Sequence, residues 1–156
     1  ILSLVALAAK IGDFLEKPLS NTNYASDIFS LGKIYDGHKE YTQSALYYNE
    51  ALKYDLPEKE VLEVLKLASF AYKRQEKWEE AEKIWKEVIN KSQEFIYYPY
   101  EELAKYYEHR LKDYQKAKMI VEDALNLVEN TFLKEKLEYR LNRIKSIKRC
   151  QAPNVS

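Results

Sequence analysis

The segment Leu62-Glu-Val-Leu-Lys-Leu-Ala-Ser-Phe-Ala-Tyr-Lys-Arg-Gln-Glu-Lys-Trp-Glu-Glu-Ala-Glu-Lys-Ile-Trp-Lys-Glu-Val88 reads as two amphipathic helices joined by a short polar turn. Leu65, Ala68, Ser69 and Tyr72 fall at helical spacing before the turn, and Trp78, Ala81, Trp85 and Val88 do so after it. The same phases recur on both sides. Tyr72 has counterparts in Tyr35 and Tyr107, 37 residues earlier and 35 later. Three residues before each Tyr stands a small one: Gly32, Ser69 or Ala104. After each comes a second aromatic (Tyr41, Trp78, Tyr114), then a small residue (Ser44, Ala81, Ala117), a bulky one (Tyr48, Trp85, Val121) and an Ala or Val (Ala51, Val88, Ala124).

Small side chains let the backbones of a helical hairpin approach, and bulky ones fill the gap to the next hairpin. No hairpin buries its apolar face alone, so stacking supplies the core. The pattern resembles the tetratricopeptide repeat, in which about 34 residues fold as two antiparallel helices. The resemblance covers units at about 25–58, 62–95 and 97–130, the third with one extra residue in its helix–helix turn. It implies an all-α fold: a right-handed α–α superhelix of three repeats, with an N-terminal helix and a C-terminal capping helix. Periodicity predicts helices at 2–15, 24–36, 41–54, 59–74, 78–91, 98–111, 114–128 and 131–148.

The ends differ from the repeats. Residues 1–23 read as an apolar helix and a linker, the latter centred on Lys17–Asn23. The opening Ile1-Leu-Ser-Leu-Val-Ala-Leu-Ala-Ala9 is expected to be a buried or docking helix; a retained export signal, which predicts a basic extension before it, is the alternative. A first residue other than Met reads as the mark of a fragment or processed product. Residues 131–149 carry Leu133, Leu137, Leu141, Ile144 and Ile147 on one stripe, as a capping helix should, and 150–156 read as a loose polar tail.

Composition excludes several classes. With only 3 Gly and 4 Pro in 156 residues, an all-β domain lacks its turns. A lone cysteine, Cys150, excludes an internal disulfide framework and a Cys-based zinc site, and fits a cytoplasmic location. The balance of 25 basic and 25 acidic side chains argues against a generally basic nucleic-acid binder. It is a sum of unlike parts: residues 1–130 carry 18 basic and 23 acidic side chains, residues 131–156 carry 7 and 2. Lys136, Arg140 and Arg143 share a face of the last helix and form a candidate basic cap. Such a strip can touch phosphates, pair with acidic helices, or simply keep the cap soluble.

Catalytic signals are lacking. No metal-binding, phosphate-loop or nucleophile-elbow motif occurs. His38 falls in a polar turn, and His109 ends a helix, where a cation is favourable. Glu79–Glu80 and Glu101–Glu102 are sequence neighbours that do not face one another, so they are expected to be solvated. Of the 14 tyrosines, Tyr47, Tyr54, Tyr97, Tyr98 and Tyr106 are not explained by the repeat phase; partial burial between repeats is expected for them.

In repeats of this type the first helix of each pair lines a concave groove. Carrying over its inward positions yields candidate groove residues Phe29, Lys33, Lys66, Phe70, Lys73, Arg74, Tyr98, Lys105 and His109. Their basic and aromatic character would suit an acidic or extended partner, with an idle solvated face as the alternative. Where some members clamp chaperone tails with Lys, Asn and Arg, this sequence has Phe29, Lys33, Leu67, Tyr98 and Glu102, so that clamp is not expected.

A narrower resemblance concerns Glu102-Leu-Ala-Lys-Tyr-Tyr-Glu-His-Arg-Leu-Lys-Asp-Tyr-Gln-Lys-Ala117, which is similar to the late repeat in the helical tail of a bacterial family of ribonuclease-H-like exonucleases. The opening Ile1-Leu-Ser-Leu-Val-Ala-Leu7 resembles the helix that follows the last acidic motif of that nuclease domain. The resemblance implies the repeat tail of a longer protein with its catalytic domain upstream; no acidic nuclease motif occurs here, so no catalytic residue carries over. The expectation is a non-catalytic scaffold that binds a protein or peptide, or the rest of its own full-length chain. The alternative is an accessory region of such an exonuclease that helps position nucleic acid through weak contacts. Neither cofactor, metal nor membrane is expected to take part.

Overall fold

Residues 22–151 are described by the computed structural model, with side chains from 25 to 147. Among them are seven helices and no strand: α1 (Thr22–Gly37), α2 (Tyr41–Ala51), α3 (Glu58–Arg74), α4 (Trp78–Lys91), α5 (Tyr97–Lys105, continuing as a π-turn over Tyr106–Arg110), α6 (Tyr114–Leu127) and α7 (Thr131–Gln151). The helix expected at 2–15, most of the linker, Cys150 and the end of the tail lie outside the described residues or side chains. The chain is thus all-α where described. Each helix packs chiefly against its neighbours in sequence, as short connections require.

Local signals account for the helix limits. Pro57 precedes α3, whose first turn holds Glu58 and Glu60 and whose last holds Lys73 and Arg74, each sign matching the helix dipole. The Asp113 side chain caps α6 by accepting from the Lys116 N–H at 2.9 Å, and Asn130 caps α7 by accepting from the Leu133 N–H at 3.0 Å. The helix expected to reach residue 54 stops at Ala51. There the Lys53 and Tyr54 N–H groups turn back to Glu50 and Ala51, and Pro57 bars continuation. At the other end, α1 begins two residues before its predicted start.

The three hairpin turns share two features. Lys39, Glu76 and Lys112 occupy the middle of the α1–α2, α3–α4 and α5–α6 turns, and all three are left-handed, with φ of 64°, 59° and 54°. The next residue in each turn donates its N–H to the repeat tyrosine: Glu40 to the Tyr35 carbonyl (2.9 Å), Lys77 to Tyr72 (3.0 Å), and Asp113 to Tyr107 (2.8 Å). The extra residue of the third unit is absorbed before the turn, not in it. Leu111 donates to the Tyr106 carbonyl, five residues back, so α5 widens into a π-turn and the turn keeps its form.

Packing follows the repeat phase. Gly32, Ser69 and Ala104, then Ser44, Ala81 and Ala117, then Tyr48, Trp85 and Val121, and finally Ala51, Val88 and Ala124 are all buried. The repeat tyrosines add polar links between hairpins. Tyr72 Oη accepts from Asn49 Nδ2 on α2, and Tyr107 Oη donates to Glu82 on α4 at 2.5 Å. The stripe on α7 turns Leu137 and Ile144 fully inward, into the core they share with Trp85, Leu103 and Val121 of α4, α5 and α6.

Candidate functional site

Helices α1, α3, α5 and α7, each the first of its pair or the cap, meet through side chains. Arg74 reaches back to Asp36 on α1 at 2.8 Å, Lys33 approaches Glu63 on α3 at 3.9 Å, and Ser26 donates to Glu60 at 3.3 Å. Lys73 crosses from α3 to Glu102 on α5. Arg140 and Arg143 of α7 donate to the same Glu108 oxygen at 3.0 and 2.7 Å.

Of the candidate groove residues, Lys33, Lys73 and Arg74 thus bridge successive first helices, and two roles change. Phe29 is only 4% exposed and packs against the Tyr48 ring at 5.8 Å, so it belongs to the core. Lys33 lies 4.0 Å from the Phe29 ring centroid. The other change concerns charge. Lys33, Lys73, Arg74 and Lys105 all have carboxylate partners, Lys105 meeting Glu101 and Glu102 at 3.2 Å. That leaves a charge-compensated surface. Its middle is formed by Lys66, Phe70 and Tyr98: Phe70 and Tyr98 pack at 6.0 Å, and the Lys66 ammonium lies 5.4 Å from the Tyr98 ring centroid. Burial pushes the Tyr98 phenol well above its usual range, and its hydroxyl is buried without a partner among the described residues. His109 is exposed at the end of α5, 3.8 Å from Glu108.

The expectation that Glu101–Glu102 are both solvated is corrected. Glu102 is 7% exposed, held between Lys73 and Lys105. A neighbour in sequence points elsewhere, but α3 supplies a cation on just the face that Glu102 occupies. Glu108, 2% exposed, is a second buried carboxylate that helical periodicity did not single out. The π-turn accounts for it. Three consecutive residues, Tyr106, Tyr107 and Glu108, are buried together there. Tyr106 stacks on Trp78 at 6.0 Å, Tyr107 reaches α4, and Glu108 faces α7.

Glu108 also changes the candidate basic cap. Arg140 and Arg143 are anchored inward by it, while Lys136 stays exposed, its ammonium 4.5 Å from the Phe132 ring centroid. These residues border a cleft of about 350 Å³ between α5 and α7, which Tyr97, Phe132 and Tyr139 also line. A larger hollow of about 560 Å³ lies on α4, α5 and α6, bordered by Ile89, Tyr100, Ile120 and Leu127. Tyr47, Tyr54, Tyr97, Tyr98 and Tyr106 are partly or fully buried, Tyr47 stacking on Tyr35 at 5.1 Å.

No group of three or more His, Cys, Asp or Glu among the described residues is arranged to hold a metal ion. No described helix is long and apolar enough to cross a membrane. No family model matches the chain. It is 28% identical over 148 residues to the uncharacterized protein YprB of Bacillus subtilis strain 168, a match covering 93% of this chain and 35% of that protein. The chain thus spans about a third of the length of this relative.

Proposed function

We propose that the chain is a non-catalytic scaffold of tetratricopeptide type, its three hairpins wound into a right-handed superhelix and closed by α7. It holds a protein or peptide, or another part of its own longer chain, on the surface shared by α1, α3 and α5. The observation that carries this reading is the likeness of the three hairpin turns, each with a left-handed middle residue followed by a hydrogen bond to the repeat tyrosine, five residues back in the first two and six in the third. Units that repeat so closely stack in one direction and present one continuous face. Cross-hairpin ion pairs hold that face in register, which limits the ordering cost of binding. Because its cations are mostly compensated, an extended segment of mixed charge with an apolar anchor suits it better than a purely acidic one. A cytoplasmic location accords with the single cysteine.

Selecting a random peptide library against the chain, and against its Lys66→Glu/Phe70→Ala variant, tests this. Peptides enriched by the parent should bind the variant at least tenfold more weakly, with the circular dichroism of the two proteins unchanged. Equal binding to both would remove the groove from the function. A second reading is an accessory region that helps position nucleic acid for a ribonuclease-H-like exonuclease domain. The aromatic and basic cleft between α5 and α7 favours it.

A further inference from the structure

The two most exposed large apolar side chains among the described residues are Tyr139, at 72%, and Phe132, at 63%. Both stand on α7, the helix that closes the array, where a polar outer face is normally needed. They are seven residues apart, hence on nearly the same side of the helix and about 10.5 Å apart along its axis. Both line the α5–α7 cleft with Tyr97 from the facing helix. Between and beside the rings stand Lys136, Arg140 and Arg143.

The arginines are held in place by carboxylates. Glu108 takes one N–H from each, which fixes both side chains; Arg140 also approaches Glu101 at 4.0 Å, while Arg143 is 39% exposed and keeps guanidinium donors toward the cleft. Arg143 Nε is buried with no partner among the described residues. Two carboxylates, Glu101 and Glu135, also border the cleft; Glu101 is shared between Lys105 at 3.2 Å and Arg140 at 4.0 Å, which leaves Lys136 as the exposed cation of the strip. Over a longer range the contrast is sharper: 7 basic against 2 acidic side chains in residues 131–156, and 18 against 23 in the rest. That contrast favours a polyanion at α7 over one on the repeats.

Exposed rings, spaced along a helix and interleaved with cations, are the arrangement that takes stacked bases and a phosphate backbone together. We infer that the α5–α7 cleft binds single-stranded nucleic acid, with bases stacking on Phe132 and Tyr139 and phosphates meeting Lys136, Arg140 and Arg143. This supplies the second reading above with a ligand and residues. It uses neither Lys66 nor Phe70, so its failure leaves the scaffold reading standing, and the reverse.

Fluorescence anisotropy of the 156-residue chain with labelled oligo-dT and oligo-U, across a salt series, tests it. Binding is expected at low salt and should weaken as salt rises. Phe132→Ala and Tyr139→Ala, both exposed and so neutral for folding, should each weaken it about tenfold. Lys136→Ala should lower the slope of log affinity against log salt by about one. An abasic oligonucleotide of equal length should bind as poorly as the ring variants bind oligo-dT. No binding at low salt overturns the proposal. So does equal binding of the abasic strand, insensitivity to both ring substitutions, or tighter binding of an acidic peptide at the same cleft.

Discussion

Gly32 is the tightest point in the first hairpin, and Gly32→Ala is the sharpest test of how the repeats pack. A Cβ at this position would stand 2.6 Å from both Cδ1 and Cε1 of Tyr48, and 3.4 Å from Cγ. Carbon atoms settle at about 3.5–4.0 Å, so the methyl would overlap two ring atoms by about 1 Å. The ring has little room to withdraw, since Tyr48 is fully buried and Phe29 leans on it. Overpacking of this kind costs about 1–3 kcal/mol, and a methyl meeting an immobilised ring belongs at the upper end. Alanine is the better helix former by about 1 kcal/mol, which offsets part of that. A net loss of about 2 kcal/mol is expected, read as a lower urea midpoint at unchanged slope.

Two companions separate the clash from backbone effects. Gly37→Ala meets nothing within 4 Å, and the φ of Gly37 is not positive, so it should stabilise by about 0.4–1 kcal/mol. Tyr48→Leu is destabilising alone, but should make Gly32→Ala cheaper by about 1 kcal/mol or more when the two are combined. If Gly32→Ala raises the midpoint as Gly37→Ala does, or if the double variant shows plain additivity, the close approach of α1 and α2 at Tyr48 is wrong.

Glu108→Ala should cost about 3 kcal/mol, because it leaves Arg140 and Arg143 without the carboxylate that draws them against α5; hydrogen exchange of α7 amides should rise first. Exchange confined to other helices would count against the clamp. Glu76→Gly and Lys112→Gly should each stabilise by about 0.5–1 kcal/mol, as glycine tolerates the left-handed backbone that these side chains oppose, and thermal melts would show it. At Glu82, burial alone would push the carboxyl upward, but hydrogen bonds from Lys86 and Tyr107 outweigh it and hold the group below its usual range. A depressed folded value stabilises above the unfolded value of about 4.3 and is lost as pH falls through the folded one. The drop in urea midpoint between neutral and about pH 3 should therefore be smaller in Glu82→Gln than in the parent; an equal drop would refute the assignment.

Much of this was legible from residue order, because helical repeats are local structures. The hairpins, their phase and the inward stripe of α7 follow from apolar spacing within a few turns, and Tyr72 and Tyr107 announced themselves by recurrence. The extra residue of the third unit was also visible, but its place was not. Whether it lengthens a turn or widens a helix depends on which hydrogen bonds the surrounding packing protects, and here the turn was conserved and the helix gave way at Tyr106. Charge was the least legible. Lys33, Lys73 and Arg74 look like a bare basic strip in sequence, and Glu101–Glu102 and the cap arginines look solvated. Each gains or loses its freedom through a partner roughly 30 to 40 positions away, the offset of one repeat. Periodicity reports which face of a helix is apolar. Only the stacking of α1, α3, α5 and α7 decided which charges on the remaining faces meet, that Glu102 and Glu108 are buried with cations, and that Phe132 and Tyr139 were left uncovered.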